Sequence, residues 1–195
     1  MTRWRVAVAD RWVQPGIARL PPLRHLSARL LASPGVGDAH NEGLITTFYE
    51  AFARRDPAAM AACYAPDVEF SDPVFQTLRG SSAGAMWNML AERATDLQIT
   101  FSDVTADATT GRCHWEARYP FTRTGRQVHN VVEARFEFRD GLISRHADTF
   151  DLWRWESQAL GPAGALLGWL PPFQARIRSG AQAELERYVQ KRSAG

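Results

Sequence analysis

A chain of 195 residues with 45% apolar, 11% aromatic and 23% charged residues is long enough to bury a substantial core as one domain with tails. Its two cysteines, Cys63 and Cys113, are too few for a disulfide-stapled secreted module or a four-ligand zinc site. A formal net charge of +2 gives no reason to expect a nucleic-acid surface.

The opening stretch carries Arg3, Arg5, Arg11, Arg19, Arg24 and Arg29 against Asp10 and Asp38, with Pro15, Pro21, Pro22 and Pro34 among them. It lacks the apolar run of a secretory signal, so residues 1–38 read as a poorly ordered N-terminal extension. A regular pattern begins at His40. Asn41 is placed to cap a helix whose Leu44, Ile45, Phe48 and Phe52 recur at helical spacing. Asp56-Pro57 signals a second, short helix through Met60 and Tyr64, ended by Pro66-Asp67. Val68-Glu69-Phe70 reads as a short strand stopped by Asp72-Pro73. Ser81 or Ser82 opens a third helix with Met86, Met89, Leu90 and Arg93 along one side.

Four strand-like runs follow: Leu97 to Asp107, Arg112 to Phe121, Val128 to Phe138, and Leu142 to Trp153. Gly111, Thr124-Gly125 and Asp140-Gly141 separate them, the mark of antiparallel hairpins in a meander. Helices first and a long sheet after them give an α+β arrangement, helices packed on one face. Period-two alternation puts Cys113, Trp115, Ala117, Tyr119 and Phe121 on one face, and Asn130, Val132, Ala134, Phe136 and Phe138 on the same face of the next run. A two-residue Thr124-Gly125 turn would pair Tyr119 with Asn130 and Trp115 with Ala134, so the apolar sets coincide. His114 and His129 fall on the opposite, charged face and read as solvated or interfacial, not as metal ligands.

The last hairpin offers a fork. A two-residue Asp140-Gly141 turn would put Ile143, Arg145, Ala147 and Thr149 on the apolar face. A three-residue Arg139-Asp140-Gly141 loop with a bulge would instead put Leu142, Ser144, His146, Asp148 and Phe150 there. The bulged form is the better reading, because Gly141 then takes the left-handed position and Leu142 and Phe150 face the core. It aims a His and an Asp into an apolar interior, which costs several kcal/mol unless they are paired or hydrated. A sequence that tolerates this is either wet there or using the pair.

Beyond the sheet, Ser157 to Ala175 is uncharged but carries Gly161, Pro162, Gly164, Gly168, Pro171 and Pro172, too many breakers for a membrane span. Trp153, Trp155, Leu160, Leu166, Leu167, Trp169, Leu170 and Phe173 make it densely apolar, and Ala181 to Lys191 reads as an amphipathic helix. Apolar surface of this kind favours leaving water by roughly 25 cal/mol per Å². Residues 156–195 should therefore lid a cavity, cover the outer sheet face or join a partner subunit.

The order of elements between Leu44 and Asp151 resembles the nuclear transport factor 2-like superfamily. Within it the chain is similar to the group holding ketosteroid isomerases, limonene epoxide hydrolases and SnoaL-type polyketide cyclases. The resemblance rests on Phe48-Tyr49-Glu50-Ala51-Phe52 followed by Asp56, on Val68-Glu69-Phe70-Ser71-Asp72-Pro73, and on Phe136-Glu137-Phe138-Arg139-Asp140-Gly141-Leu142-Ile143. Arg145-His146-Ala147-Asp148-Thr149-Phe150-Asp151-Leu152-Trp153 is similar to the closing strand of SnoaL-like proteins. It implies a cone-shaped, cystatin-like roll over residues 39–155, three N-terminal helices on a curved antiparallel sheet, and a symmetric homodimer. By the same resemblance Asp72 falls where the isomerases carry their general base, and Asp148 near the catalytic Asp of the cyclases and epoxide hydrolases. The isomerases' oxyanion hole does not carry over: its Tyr matches Phe48, with Tyr49 one place away, and its protonated Asp matches Ala134. Steroid isomerisation is therefore not expected, and the Arg that bridges two Asp residues in the epoxide hydrolases has no counterpart.

Asp72, His146 and Asp148 are the candidate catalytic residues, converging on a cavity walled by Trp87, Phe101, Trp115, Tyr119, Asn130 and Phe136. A carboxylate in such a pocket loses hydration, its pKa rises toward neutrality, and proton transfer becomes accessible. His146 and Asp148, two apart on one strand face, could act as acid/base and orienter. Plainer roles stand beside these: Asp72 as a turn cap, His146 as a satisfied buried histidine, Asp148 as a polar group of the pocket. Three functions are open. The first is a cofactor-independent isomerase, cyclase or hydrolase on a small hydrophobic molecule. The second is a non-catalytic carrier of such a ligand, and the third an interaction module with a filled interior. No cofactor, metal or nucleic-acid partner is implied, and the expected location is cytoplasmic.

Overall fold

The computed structural model describes residues 36–93 and 95–193. All but the last three residues of the expected N-terminal extension lie outside the described residues. Those three belong to the first helix.

Three helices and two strands come first: α1 (Val36–Ala53), α2 (Pro57–Ala62), β1 (Tyr64–Ser71), β2 (Leu78–Arg79) and α3 (Ser81–Arg93). A meander follows, β3 (Gln98–Ala106), β4 (Thr110–Pro120), β5 (Gln127–Arg139) and β6 (Leu142–Thr149), and then α4 (Leu152–Leu160), α5 (Pro162–Leu167) and α6 (Pro171–Ser193). The strands form one curved, unclosed six-stranded sheet in the order β2-β1-β6-β5-β4-β3. The α+β expectation holds, with one refinement: the sheet is mixed, because β1 runs parallel to β6. No hairpin joins those two strands, so no turn dictates their relative direction; every pair in the meander is hairpin-linked and antiparallel.

α1 starts five residues before the expected cap at Asn41. Asn41 instead lies buried on the inner side of the helix, where its Nδ2 donates to the Asp107 carbonyl at 2.8 Å. Ile45, Phe48, Tyr49 and Phe52 follow it into the core at helical spacing. Asp56 does cap α2, its Oδ1 accepting from Ala59 N at 3.0 Å, with Pro57 at the first helical position. Asp56→Ala should cost about 1 kcal/mol of stability, read as a lower urea midpoint with unchanged slope; an unchanged midpoint would deny the cap any role.

Tyr64 departs from its expected place. The helix stops at Ala62 and Tyr64 opens β1, because Pro66 drives Ala65 before it into extended backbone. That change of element sends the Tyr64 side chain into the core. Gly111 is likewise not a turn residue. The β3–β4 turn is made by Asp107, whose Oδ1 accepts from Thr109 N and Thr110 N, while Gly111 sits inside β4. A Cβ at Gly111 would stand 2.9 Å from Ile45 Cδ1, so glycine lets α1 close on the sheet.

The β4–β5 loop is longer than the expected two residues: Phe121 N donates to Arg126 O, and the register pairs Tyr119 with Val128 and Trp115 with Val132. A shift of two positions preserves the faces, so the inner set is unchanged. The β5–β6 fork resolves into parts of both alternatives. Asp140 (φ 54°) and Gly141 (φ 76°) form the two-residue turn, pairing Arg139 with Leu142 and burying Ile143. A bulge then intervenes, because Phe138 pairs with Ile143 but Glu137 with Arg145. The extra residue, Ser144, reverses the alternation, and His146 and Asp148 turn inward. β6 ends at Thr149, short of the expected Trp153, since Asp151 caps α4 through Arg154 N at 2.9 Å.

The expected helix from Ala181 is the second half of the longer α6. It packs beside α3 through buried Leu185, an Arg93–Glu184 ion pair at 2.5 Å and an Arg192–Glu92 pair. Among the described residues no helix is long and apolar enough to cross a membrane.

Candidate active site

Between the inner face of the sheet, α3 and α6 lies a cavity of about 1050 Å³. Of the residues expected to wall it, Trp87, Trp115, Tyr119 and Asn130 do so, together with Asp72 and Asp148. Phe101 and Phe136 do not. Phe136 lies one layer deeper, its ring 4.4 Å from the His146 ring, and Phe101 stacks on Tyr49 at 5.6 Å. Both sit on inward-facing positions, but the bulk of Tyr49 and His146 separates them from the open space.

His146 itself is wholly buried and does not line the cavity. Phe48, Phe70, Trp87 and Phe136 surround its ring, with centroid separations between 4.4 and 5.9 Å. Its two nitrogens are both engaged. Nδ1 lies 2.7 Å from the Tyr64 hydroxyl and Nε2 lies 3.0 Å from Asp148 Oδ1. Trp115 Nε1 also donates to that Oδ1, at 3.3 Å, and Trp87 Nε1 donates to the Tyr64 oxygen at 2.9 Å. With Asp148 as a carboxylate and the imidazole neutral, the contacts fit one proton arrangement. Asp148 Oδ1 can only accept, so Nε2–H donates to it. Nδ1 then accepts, and the Tyr64 hydroxyl donates to it while receiving from Trp87. A directed chain, Trp87 to Tyr64 to His146 to Asp148, ends on a carboxylate oxygen.

Oδ1 of Asp148 is thereby occupied. Oδ2 accepts no hydrogen bond among the described residues and belongs to a residue on the cavity wall, which leaves it for a ligand. Asp72, on the loop after β1, reaches the same cavity. It also caps its own loop, Oδ1 accepting from Val74 N at 2.7 Å and Phe75 N at 2.5 Å. Burial pushes its carboxyl up to about 7; those backbone bonds pull the other way, and repulsion from Asp148 adds to the rise. The Tyr49 hydroxyl is buried with no partner among the described residues, and burial with the nearby Asp148 charge holds its pKa well above the usual phenol range.

The C-terminal segment completes the wall. Trp155, Leu160, Phe173 and Ile177 face the cavity, Trp155 Nε1 donates to the Tyr119 hydroxyl at 2.8 Å, and Arg178 Nε donates to the Pro73 carbonyl at 2.9 Å, beside Asp72. Of the three roles open to residues 156–195, lining the cavity is the one the geometry displays. Tyr64 escapes sequence reasoning, which places it at a helix end, although the proline two residues on is a usable signal for extended chain. Trp155 belongs to the apolar run expected to leave water, but only tertiary packing brings it to Tyr119. His114 and His129 lie on the outer face, each beside a carboxylate: His114 Nδ1 is 2.7 Å from Glu133, and His129 Nε2 is 2.6 Å from Glu116.

The profile of the SnoaL-like domain matches residues 45–146. Among solved structures, the chain is similar to a candidate polyketide cyclase from Xanthomonas campestris pv. campestris, with 25% identity, a TM-score of 0.55, and coverage of 63% of this chain and 98% of that one. It is similar to a LEH-like epoxide hydrolase from M. tuberculosis at 18% identity, TM-score 0.54, over 67% and 97% of the two chains. A SnoaL-like candidate polyketide cyclase from Jannaschia sp. CCS1 aligns at 15% identity with TM-score 0.58, over 66% and 96%. The last two likenesses concern the fold alone. No curated protein matches the chain.

Proposed function

Because the chain belongs to the SnoaL-like domain family, we propose that it is a general acid/base enzyme acting on a small hydrophobic molecule, of the isomerase, cyclase or hydrolase type. The observation that carries this reading is the pairing of two carboxyl groups on one apolar cavity, each in a different environment. Asp148, receiving hydrogen bonds from His146 and Trp115 on one oxygen, is suited to stay an acceptor and to take a proton from substrate or water through Oδ2. Asp72, pushed up to about 7, is suited to hold a proton at neutral pH and deliver it to an oxygen of the substrate. His146 touches no ligand space and is a positioning residue for Asp148. A carboxyl that holds a proton, beside a second carboxyl with an oxygen open to the cavity, supplies what abstraction beside a carbonyl, ring closure or water activation each requires.

The test begins with native mass spectrometry of the gently purified chain, to identify a co-purifying small hydrophobic molecule, followed by a pH profile of its turnover. With Asp72 as the acid, kcat/KM should be level below about 7 and fall tenfold per pH unit above it, because the protonated form is lost there. Asp72→Asn should abolish that limb. A profile that rises through 7 would make Asp72 the base and overturn the assignment. A bound molecule that is released unchanged under all conditions would favour the carrier reading. The dimer that the resemblance implies belongs to the same proposal; sedimentation should then give about twice 21.8 kDa.

A further inference from the structure

The segment that walls the cavity also has an outward side. Leu166 is 71% exposed, Trp169 62%, Trp153 47% and Leu167 42%, a cluster of large apolar side chains at the tip formed by α5 and the turn after it. From Ser157 to Ala175 the chain has no charged residue. The tip cannot fold its apolar side chains inward, because its underside is already filled. Glycine at 164 and 168 lets the turn press directly on α4, and a Cβ at either position would collide with Glu156. Trp153 and Trp169 also spend their indole N–H groups locally, on the carbonyls of Ala165 and Leu166, so both rings are held at the surface with their N–H groups satisfied.

Two further features define the occupant. First, the tip adjoins the cavity wall: Ala163, one helical turn before Leu166 and Leu167, lines the cavity, as does Phe173, four residues after Trp169. Second, exposed Arg123, Arg126, Arg154 and Arg176 border the uncharged segment, and none of them has an ion pair among the described residues. Arg126 lies against Gly161 at the start of α5, and Arg123 and Arg176 stand on the cavity wall. Against them stand Asp151, used as the α4 cap, and Glu156, which is buried beneath the α5 turn with no hydrogen-bond partner for its carboxyl among the described residues. Tryptophan and leucine side chains within a collar of arginines match the two layers of an anionic bilayer surface, hydrocarbon below and negative headgroups above.

We propose that the α5 tip, Leu166, Leu167 and Trp169 with Trp153, docks on the surface of an anionic lipid bilayer, so that the cavity takes its hydrophobic molecule from the membrane. Docking by insertion needs only a few side chains. A second copy of the chain is a poorer occupant, since a stable pair buries about 20–30 residues a side and this tip spans a single six-residue helix and its turn. What is delivered rests on the pocket reading above; the docking does not.

Flotation of the full chain with phosphatidylcholine vesicles, with and without about 30% phosphatidylglycerol, tests the proposal. The chain should float with the anionic vesicles, less so as salt rises, with a blue shift of tryptophan emission. Leu166→Glu with Trp169→Glu should weaken this by roughly tenfold or more. Absence of binding by the parent chain would overturn the proposal. So would equal binding by the double variant, which would assign attachment to the arginine-rich residues 1–35. A double variant that turns a dimer into a monomer while floating as before would make the tip a contact between copies instead. Ligand binding measured without vesicles should survive the double substitution, so failure of docking and failure of the pocket reading are told apart.

Discussion

Asp148→Asn should lower turnover of the cavity's substrate by about 10²–10⁴-fold while leaving its binding nearly unchanged. The substitution is close to isosteric. An amide Oδ1 still accepts from Trp115 Nε1 at the position where the carboxylate oxygen now does, and from His146 Nε2. What changes is the other arm. The oxygen that faces the cavity becomes an NH₂ group, which cannot accept a proton. Since the fold keeps its hydrogen bonds, the loss should appear in kcat with KM little altered, and the thermal midpoint should move by only a few degrees. A kcat within tenfold of the parent would reduce Asp148 to a polar wall residue. The acid/base proposal would go with it, because Asp72 alone supplies a proton but no acceptor.

The second large effect is on stability. His146→Ala should destabilise the fold by about 3–5 kcal/mol, measured by urea denaturation. Three costs combine. A buried ring in contact with Phe48, Phe70, Trp87 and Phe136 leaves a hole that these rigid aromatics cannot fill. The Tyr64 hydroxyl, buried and holding its proton toward Nδ1, loses its acceptor. Asp148 loses one of the two donors on Oδ1. His146→Gln, which can restore one of the two hydrogen bonds, should recover part of the loss. A destabilisation below about 1 kcal/mol would mean that the chain from Trp87 to Asp148 contributes little to holding the core.

Both effects trace to a single extra residue in β6. The two readings of the last hairpin were each half right, because local turn chemistry and strand alternation are separate constraints. Asp140-Gly141 adopts the positive φ values that a tight two-residue turn demands, and that alone would send His146 and Asp148 to solvent. The bulge at Ser144 returns them to the interior. No residue type advertises a bulge there: Ser144 is unremarkable in sequence, and its hydroxyl bond to the Glu137 carbonyl exists only once β5 lies alongside. The reasons for inward placement were indirect: Gly141 at the left-handed position, which it takes at φ 76°, and Phe150 toward the core, where it lines the cavity, whereas Ile143 and not Leu142 is the buried residue.

Other parts of the molecule were open to reading because their causes are local. The Asp56-Pro57 start of α2 needs nothing beyond a side-chain oxygen and a nearby N–H group. The apolar faces of β4 and β5 follow from alternation, which survives the two-position error in register because a shift by two keeps every side chain on its face. Misreadings cluster where a distant partner decides. Asn41 is drawn into the core by the Asp107 carbonyl, 66 residues away. Tyr64 is held by His146, 82 residues on. Trp155 finds Tyr119 across 36.

The amino-acid order by itself determined that helices precede a hairpin-linked sheet and that one sheet face is apolar, both properties of periodicity that every short window of chain expresses. Asp72 is pointed to by the family resemblance, and His146 and Asp148 by one of two readings of the last hairpin. Only the tertiary structure decided that Asp148 reaches the cavity while His146 stands behind it, that Phe136 is a layer too deep, that Phe101 packs on Tyr49 away from the cavity, and that α6 closes the wall. Those outcomes depend on which side chains meet across the cavity, and encounters between residues far apart in sequence leave no trace in local pattern.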